Sequence, residues 1–156
     1  MLSRQQAIEY ILSKHGDNAV YISSTGYISR AVHDLTRGQH NVFYMQGSMG
    51  IAPSIGAGIA SNSTKPVVVI SGDAALLMHL GVTHTIRDLN LPNLFTYVLD
   101  NGCHESVGGY EAAALEKEYN GITEIIKISR DGKCPRVALS PVENTHNIKK
   151  ILQTAT

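Results

Sequence analysis

Ser3-Arg4-Gln5-Gln6 has the form of a capping box, and Ala7, Ile8, Ile11 and Leu12 follow it at helical spacing, predicting an amphipathic helix that ends near Gly16. The pattern then turns to short apolar runs closed by polar loops. Ala19-Val20-Tyr21-Ile22 reads as a strand, Ser23-Ser24-Thr25-Gly26 as a turn, and Ile28 to Val32 as the start of a helix. The unit recurs as Val42-Phe43-Tyr44-Met45, the loop Gln46-Gly47-Ser48-Met49-Gly50, and a helix from Ile51 to Ala60 whose small residues suit close packing on a sheet. A third copy runs from Val67-Val68-Val69-Ile70 through Ser71-Gly72-Asp73 into a helix from Ala74 to about Leu89. That strand has no polar alternation and so reads as buried on both faces. A fourth strand, Leu94 to Leu99, closes in Asp100-Asn101-Gly102-Cys103 and a longer loop through Gly109.

Beyond Gly109 the pattern predicts a helix near Ala112 to Tyr119, a strand at Ile125 to Ile128, a turn at Asp131-Gly132, a strand at Arg136 to Leu139 and a last helix after Pro141. Parallel neighbours need a crossover, and the crossover helix covers a face of the sheet. The expectation is therefore an α/β fold, an open parallel sheet with helices on both faces, in a single domain over residues 1–156.

At 43% hydrophobic and 17% charged, the composition is that of a packed globular chain. Thirteen basic residues balance 13 acidic ones without a long run of either sign, so no nucleic-acid or anionic membrane partner is expected. The start lacks an apolar leader and no stretch suits a membrane span, which reads as cytoplasmic. Cys103 and Cys134 stand 31 positions apart without metal-finger spacing, and both read as reduced thiols.

In an open parallel sheet, ligands bind beyond the carboxyl ends of the strands. The loops at Ser24-Thr25-Gly26, Gly47-Ser48-Met49-Gly50, Gly72-Asp73-Ala74-Ala75 and Asp100-Asn101-Gly102-Cys103 all fall at that edge. Free N–H groups at helix starts suit a phosphate, and an acid beside a phosphate calls for a cation between them. Asp73 and Asn101, at neighbouring strand tips, offer hard oxygens for magnesium. The same residues also read as a helix cap and a tight turn.

The 30 residues from Gly72 to Asn101, GDAALLMHLGVTHTIRDLNLPNLFTYVLDN, resemble the thiamine diphosphate fingerprint, which opens Gly-Asp-Gly and closes Asn-Asn at about that length. Together with Gly47-Ser48-Met49-Gly50, Ser24-Thr25-Gly26 and the run from Asp100 to Gly109, the chain is similar to the diphosphate-binding, beta-type half of the phosphonopyruvate and sulfopyruvate decarboxylase family. The likeness is good to about residue 110 and loose thereafter.

The resemblance implies thiamine diphosphate and Mg2+ as cofactors. Asp73 and Asn101 would give side-chain oxygens to the metal and Cys103 its main-chain carbonyl. Gly72 opens the fingerprint, and Ser24, Thr25 and the backbone N–H groups of Ala74 and Ala75 would hold the diphosphate. Met49 would wedge between the cofactor rings, and the Gly47 carbonyl would accept from the aminopyrimidine. His104 is the implied catalytic residue, handling a proton or the anionic substrate. Arg30 is a weaker candidate for a phosphonate ligand, and His79 and His84 default to packing or a subunit contact. His15, His33, His40 and His146 carry no metal spacing.

Thiamine chemistry also needs a carboxylate on the pyrimidine ring, which in this superfamily belongs to a separate domain. The resemblance thus implies an alpha-type partner carrying the pyrimidine-binding domain, an oligomer, and a small anionic 2-keto acid substrate. The run His104-Glu105-Ser106-Val107 favours 3-phosphonopyruvate, giving phosphonoacetaldehyde and carbon dioxide, with sulfopyruvate the alternative. Three departures stand out: Ala74 replaces the last glycine of Gly-Asp-Gly, Asp100 replaces the first Asn, and Tyr110-Glu111 follows the Gly pair where Gln-Pro is common. A scaffold or regulatory homologue that has lost the cofactor is the other reading. A flavodoxin-like nucleotide binder lacks a suitably placed acid or Gly-rich loop.

Overall fold

The computed structural model describes residues 1–38 and 41–153; His40 lies outside them. The elements in chain order are α1 (Arg4–His15), β1 (Val20–Ser23), α2 (Tyr27–Thr36), β2 (Val42–Tyr44), α3 (Ala52–Ala60), β3 (Val67–Gly72), α4 (Asp73–Met78), α5 (Val82–Leu89), β4 (Leu94–Asp100), β5 (Cys103–His104), β6 (Tyr110–Glu111), β7 (Glu124–Lys127) and α6 (Pro141–Gln153). Five strands form one parallel sheet in the order β2-β1-β3-β4-β7. The short strands β5 and β6 pair antiparallel beside it.

β3 is central because every position of Val67–Gly72 is buried. Val68 and Ile70 face one core with Ile8 and Ile11 of α1 and Ala31 and Val32 of α2. Val67 and Val69 face the other, against Ala52 and Ala60 of α3 and Ile148 of α6, and Val98 continues it beneath Leu76, Val82 and Ile86. Alternate β-branched residues thus feed opposite layers, the arrangement expected of a doubly covered parallel strand. On α3, Gly56 leaves no room for a side chain: a Cβ there would stand 2.3 Å from Val69 Cγ2. The helix therefore lies directly on β3.

Three expectations require correction. The single helix from Ala74 to about Leu89 is two helices, α4 and α5, because the chain leaves helical geometry at His79 (φ −141°, ψ 40°) before Gly81 starts the next one. No helix forms over 112–119. There Leu115 and Tyr119 pack singly onto the core beneath α5, and the Ala112 N–H is drawn to the Gly102 carbonyl at 3.0 Å, so tertiary contacts override the propensity of the alanine run. Residues 136–139 are not a strand. Val137 and Leu139 lean on the core shared with α1 and α2, but the segment joins no ladder. Among the described residues no helix is long and apolar enough to cross a membrane.

Candidate functional site

From β1 the chain passes outward to β2 and then returns across β1 to β3, so the loops leaving β1 and β3 run in opposite directions along the sheet edge. Such a reversal opens a crevice at the carboxyl ends of the strands. A cleft of about 480 Å³, measured out to its open mouth, lies there. Ser24 and Thr25 enter it from β1, Gly72, Asp73, Ala74 and Ala75 from the β3–α4 junction, and Asn101, Cys103 and His104 from beyond β4, while Met49 reaches it from the β2–α3 loop. Gly47 does not line it; it faces an adjoining depression with Ser48, Pro141 and Asn144. The β2–α3 loop approaches α4 through Gly50, where a φ of +93° and the 2.7 Å that would separate an added Cβ from the Ala75 carbonyl oxygen both require glycine.

The tips of β3 and β4 are tied by one turn. The Gly102 N–H donates to Asp73 Oδ2 at 2.8 Å and to Asp100 Oδ1 at 3.1 Å, and the Cys103 N–H donates to Asn101 Oδ1 at 3.1 Å. Asp73 is 3% exposed. Burial pushes its carboxyl above the ordinary carboxylate range, the N–H groups of Ala74 and Gly102 pull it back, and the neighbouring Asp100 raises it further. Asp100 in turn pairs with Lys127 of β7, its partner in register. The Cys103 thiol is buried and pushed up chiefly by that burial, which keeps it a neutral thiol.

His104 ends β5 opposite Tyr110, and its carbonyl accepts from the Val107 and Gly109 N–H groups, closing the glycine-rich tip of that hairpin. Arg30 does not reach the cleft lining; its guanidinium lies 5.1 Å from the Tyr27 ring centroid. His79 and His84 are exposed and outside it. His15 bonds the Tyr97 hydroxyl through Nε2 at 2.8 Å.

Two residues to which the sequence reading gave no role of their own in the site stand inside the cleft. Arg4 is 2% exposed, lies 5.5 Å from the Tyr27 ring centroid, and ion-pairs with Glu105. Glu105 also accepts from Asn101 Nδ2 at 2.7 Å. A signal for Arg4 existed: it precedes Ile8 and Ile11 by four and seven positions, on the buried stripe of α1.

The donor set is compatible with a divalent cation at Asp73. A buried carboxylate with a second carboxylate beside it is compensated by positive charge, and the second lone pair of Asn101 Oδ1 is a hard oxygen. Among the described residues no cluster of three His, Cys, Asp or Glu side chains is placed to hold a metal. A cation here would complete its shell from backbone carbonyl, phosphate and water, as magnesium does.

Residues 23–156 match the family described as the thiamine pyrophosphate enzyme, C-terminal TPP binding domain. Over 108 residues the chain is 43% identical to the phosphonopyruvate decarboxylase of Streptomyces viridochromogenes, which takes in 69% of this chain and 27% of that protein. It is 41% identical over 108 residues to the sulfopyruvate decarboxylase subunit beta of Methanothermobacter thermautotrophicus, 69% of this chain and 57% of that subunit. The corresponding subunit of Methanocaldococcus jannaschii is 37% identical over 105 residues, 67% of this chain and 55% of that subunit. The matched region thus spans about a quarter of the first relative and somewhat over half of the two subunits. With strand-tip loops meeting at the reversal of the sheet and a match over most of its length, the chain belongs to the family of C-terminal thiamine pyrophosphate-binding domains of thiamine pyrophosphate enzymes.

Proposed function

We propose that this chain is the diphosphate- and magnesium-binding subunit of a cytoplasmic thiamine diphosphate-dependent decarboxylase that converts 3-phosphonopyruvate to phosphonoacetaldehyde and carbon dioxide. The observation that carries the proposal is the Gly102–Cys103 turn, whose two N–H groups bond Asp73 and Asn101, the residues at the two ends of the fingerprint, at one cleft. When bound, thiamine diphosphate supplies a nucleophilic carbon and an electron sink for loss of carbon dioxide from a 2-keto acid.

The chain's own residues bind and orient. Asp73, Asn101 and the Cys103 carbonyl hold Mg2+, and the backbone of Ala74 and Ala75 with the hydroxyls of Ser24 and Thr25 holds the diphosphate. Met49 packs against the rings, the Gly47 carbonyl receives the aminopyrimidine, and His104 holds a proton or steadies the anionic substrate at the cleft edge. The carboxylate for the pyrimidine ring comes from an alpha-type partner subunit, so the active unit is an assembly. The chain's identity to a phosphonopyruvate decarboxylase and the His104-Glu105-Ser106-Val107 run support the phosphonate. Comparable identity to proteins named sulfopyruvate decarboxylase subunit beta supports a second reading, the sulfonate, and favours a separate partner.

The test supplies both acids to the chain assembled with its partner, thiamine diphosphate and Mg2+, and follows carbon dioxide release. Faster release from 3-phosphonopyruvate, abolished by Asp73→Ala, is expected. Faster release from sulfopyruvate selects the second reading. Absence of saturable thiamine diphosphate binding in the assembly indicates instead a scaffold that has lost the cofactor.

A further inference from the structure

We propose that Glu105 is a positioning residue that fixes the Asn101 amide with its oxygen toward the cation site. The inference rests on the reading of Asp73 and Asn101 as magnesium ligands and assigns a role to a side chain that would touch neither metal nor substrate.

An asparagine amide is nearly symmetric in shape, and only its oxygen can bind a cation. Its orientation must therefore be set by neighbours that distinguish donor from acceptor. Here the amide has two such neighbours. The Cys103 N–H, at 3.1 Å, can face only the oxygen. The Glu105 carboxylate, which only accepts, can face only the NH2 end, and Nδ2 donates to its Oε2 at 2.7 Å. The second contact is charge-assisted and is the stronger of the two.

Glu105 is itself held by two further groups from distant parts of the chain. Its Oε2 also receives the Arg4 guanidinium from α1, and its Oε1 accepts from the Gly132 N–H at 2.8 Å, beyond β7. Arg4 is anchored in turn by its backbone N–H to Asp131 and by its guanidinium to the Gly132 carbonyl at 3.3 Å. A carboxylate with both oxygens bonded and a buried arginine behind it has little rotational freedom. That rigidity is what a group must have to orient a metal ligand.

The experiment measures Mg2+-dependent binding of thiamine diphosphate by calorimetry, and Mn2+ binding by paramagnetic resonance, in the chain assembled with its partner. Glu105→Gln should raise the Mg2+ midpoint about tenfold. The decisive variant is N101D/E105Q compared with N101D. A carboxylate in place of the amide has two equivalent oxygens and needs no orienting acceptor, while Glu105 would repel it. In that background Glu105→Gln should lose only the screened attraction of a nearby charge, so its effect on the Mg2+ midpoint should shrink from about tenfold with Asn101 to about twofold. If Glu105 acted only as a distant negative charge or a structural brace, the substitution would weaken binding by the same factor in both backgrounds.

Should E105Q fail to fold, R4M/E105L removes the ion pair as a unit without leaving a buried charge unpaired, and it should show the same rise in midpoint. The inference is overturned if wild type binds and Asp73→Ala does not, yet E105Q, or R4M/E105L in its place, keeps the wild-type midpoint, or E105Q weakens binding by as large a factor in the N101D background as in the Asn101 chain. If wild type itself shows no Mg2+-dependent binding, it is the underlying reading of the site that fails.

Discussion

Asn144 on α6 grips the backbone of Tyr44 on β2 with both ends of its amide, accepting from the Tyr44 N–H at 3.0 Å and donating to its carbonyl at 2.7 Å. β2 is an edge strand, and this side chain takes the place of the missing neighbour two residues before the Gln46-Gly47 loop. Asn144 is 2% exposed. Asn144→Leu leaves a buried donor and a buried acceptor unpaired, so a loss of roughly 2–4 kcal/mol is expected in urea unfolding. A loss below about 0.5 kcal/mol would show that the edge is satisfied by other means.

Gly50→Ala and Gly47→Ala form a matched pair. At Gly50 the left-handed backbone and the Ala75 carbonyl both oppose a methyl, whereas at Gly47 an added Cβ meets nothing within 4 Å. Gly50→Ala should cost roughly 1–3 kcal/mol and displace the β2–α3 loop from α4, weakening thiamine diphosphate binding in the assembly. Gly47→Ala should leave stability nearly unchanged. Equal melting temperatures for the two variants would contradict the close approach of the two loops.

The parallel sheet and the cleft were readable in the sequence because both rest on local signals. Val67 to Ile70 is uniformly β-branched, and the loops carrying Ser24, Asp73 and Asn101 each end an apolar run, so the sheet brings them to one edge. The Glu105 network was not readable. It joins Arg4 of α1 to the β5–β6 turn and to Gly132, more than a hundred positions away from Arg4, through side-chain bonds that leave no periodicity. The helix expected near Ala112 failed for the opposite reason: its local preference was plain, but the Ala112 N–H is taken by the distant Gly102 carbonyl and Leu115 and Tyr119 pack on the core from a non-helical segment. The break at His79 is equally hidden, since apolar residues continue on both sides of it, Leu76 and Leu80 leading on to Val82 and Ile86.

His15 packs against Phe95, with ring centroids 4.6 Å apart, and bonds Tyr97. Burial, with a smaller contribution from Lys14, holds its pKa below the ordinary value of 6.5. The folded chain therefore resists protonation at a pH where the unfolded chain accepts it, so this contribution is complete above pH 6.5 and declines as pH falls toward the lowered folded value. His15→Gln retains a hydrogen-bonding side chain without the titration. Between about pH 7.5 and pH 5.5, the urea midpoint should drop more in wild type than in His15→Gln. Parallel curves would remove His15 from the account of acid sensitivity.

Asp100 stands where the thiamine diphosphate fingerprint has its first Asn, and its carboxylate shares the Gly102 N–H with Asp73. Burial is the larger cause of the raised Asp73 pKa, and the Asp100 charge adds to it. Lys127 offsets that charge only from a side chain that is 69% exposed, where water screens the pair. Asp100→Asn should therefore relieve repulsion in the metal-free assembly and raise its melting temperature, while Lys127 loses a weak partner. The same change removes negative charge beside the cation, so Mg2+ should bind roughly threefold to tenfold more weakly, which corresponds to about 1 kcal/mol of screened attraction. The two effects have one cause and should appear together: the gain in melting temperature on adding Mg2+ should be smaller in Asp100→Asn than in wild type. A metal-free assembly destabilised by the substitution, with Mg2+ affinity unchanged, would mean that Asp100 serves the Lys127 pair and not the field at Asp73.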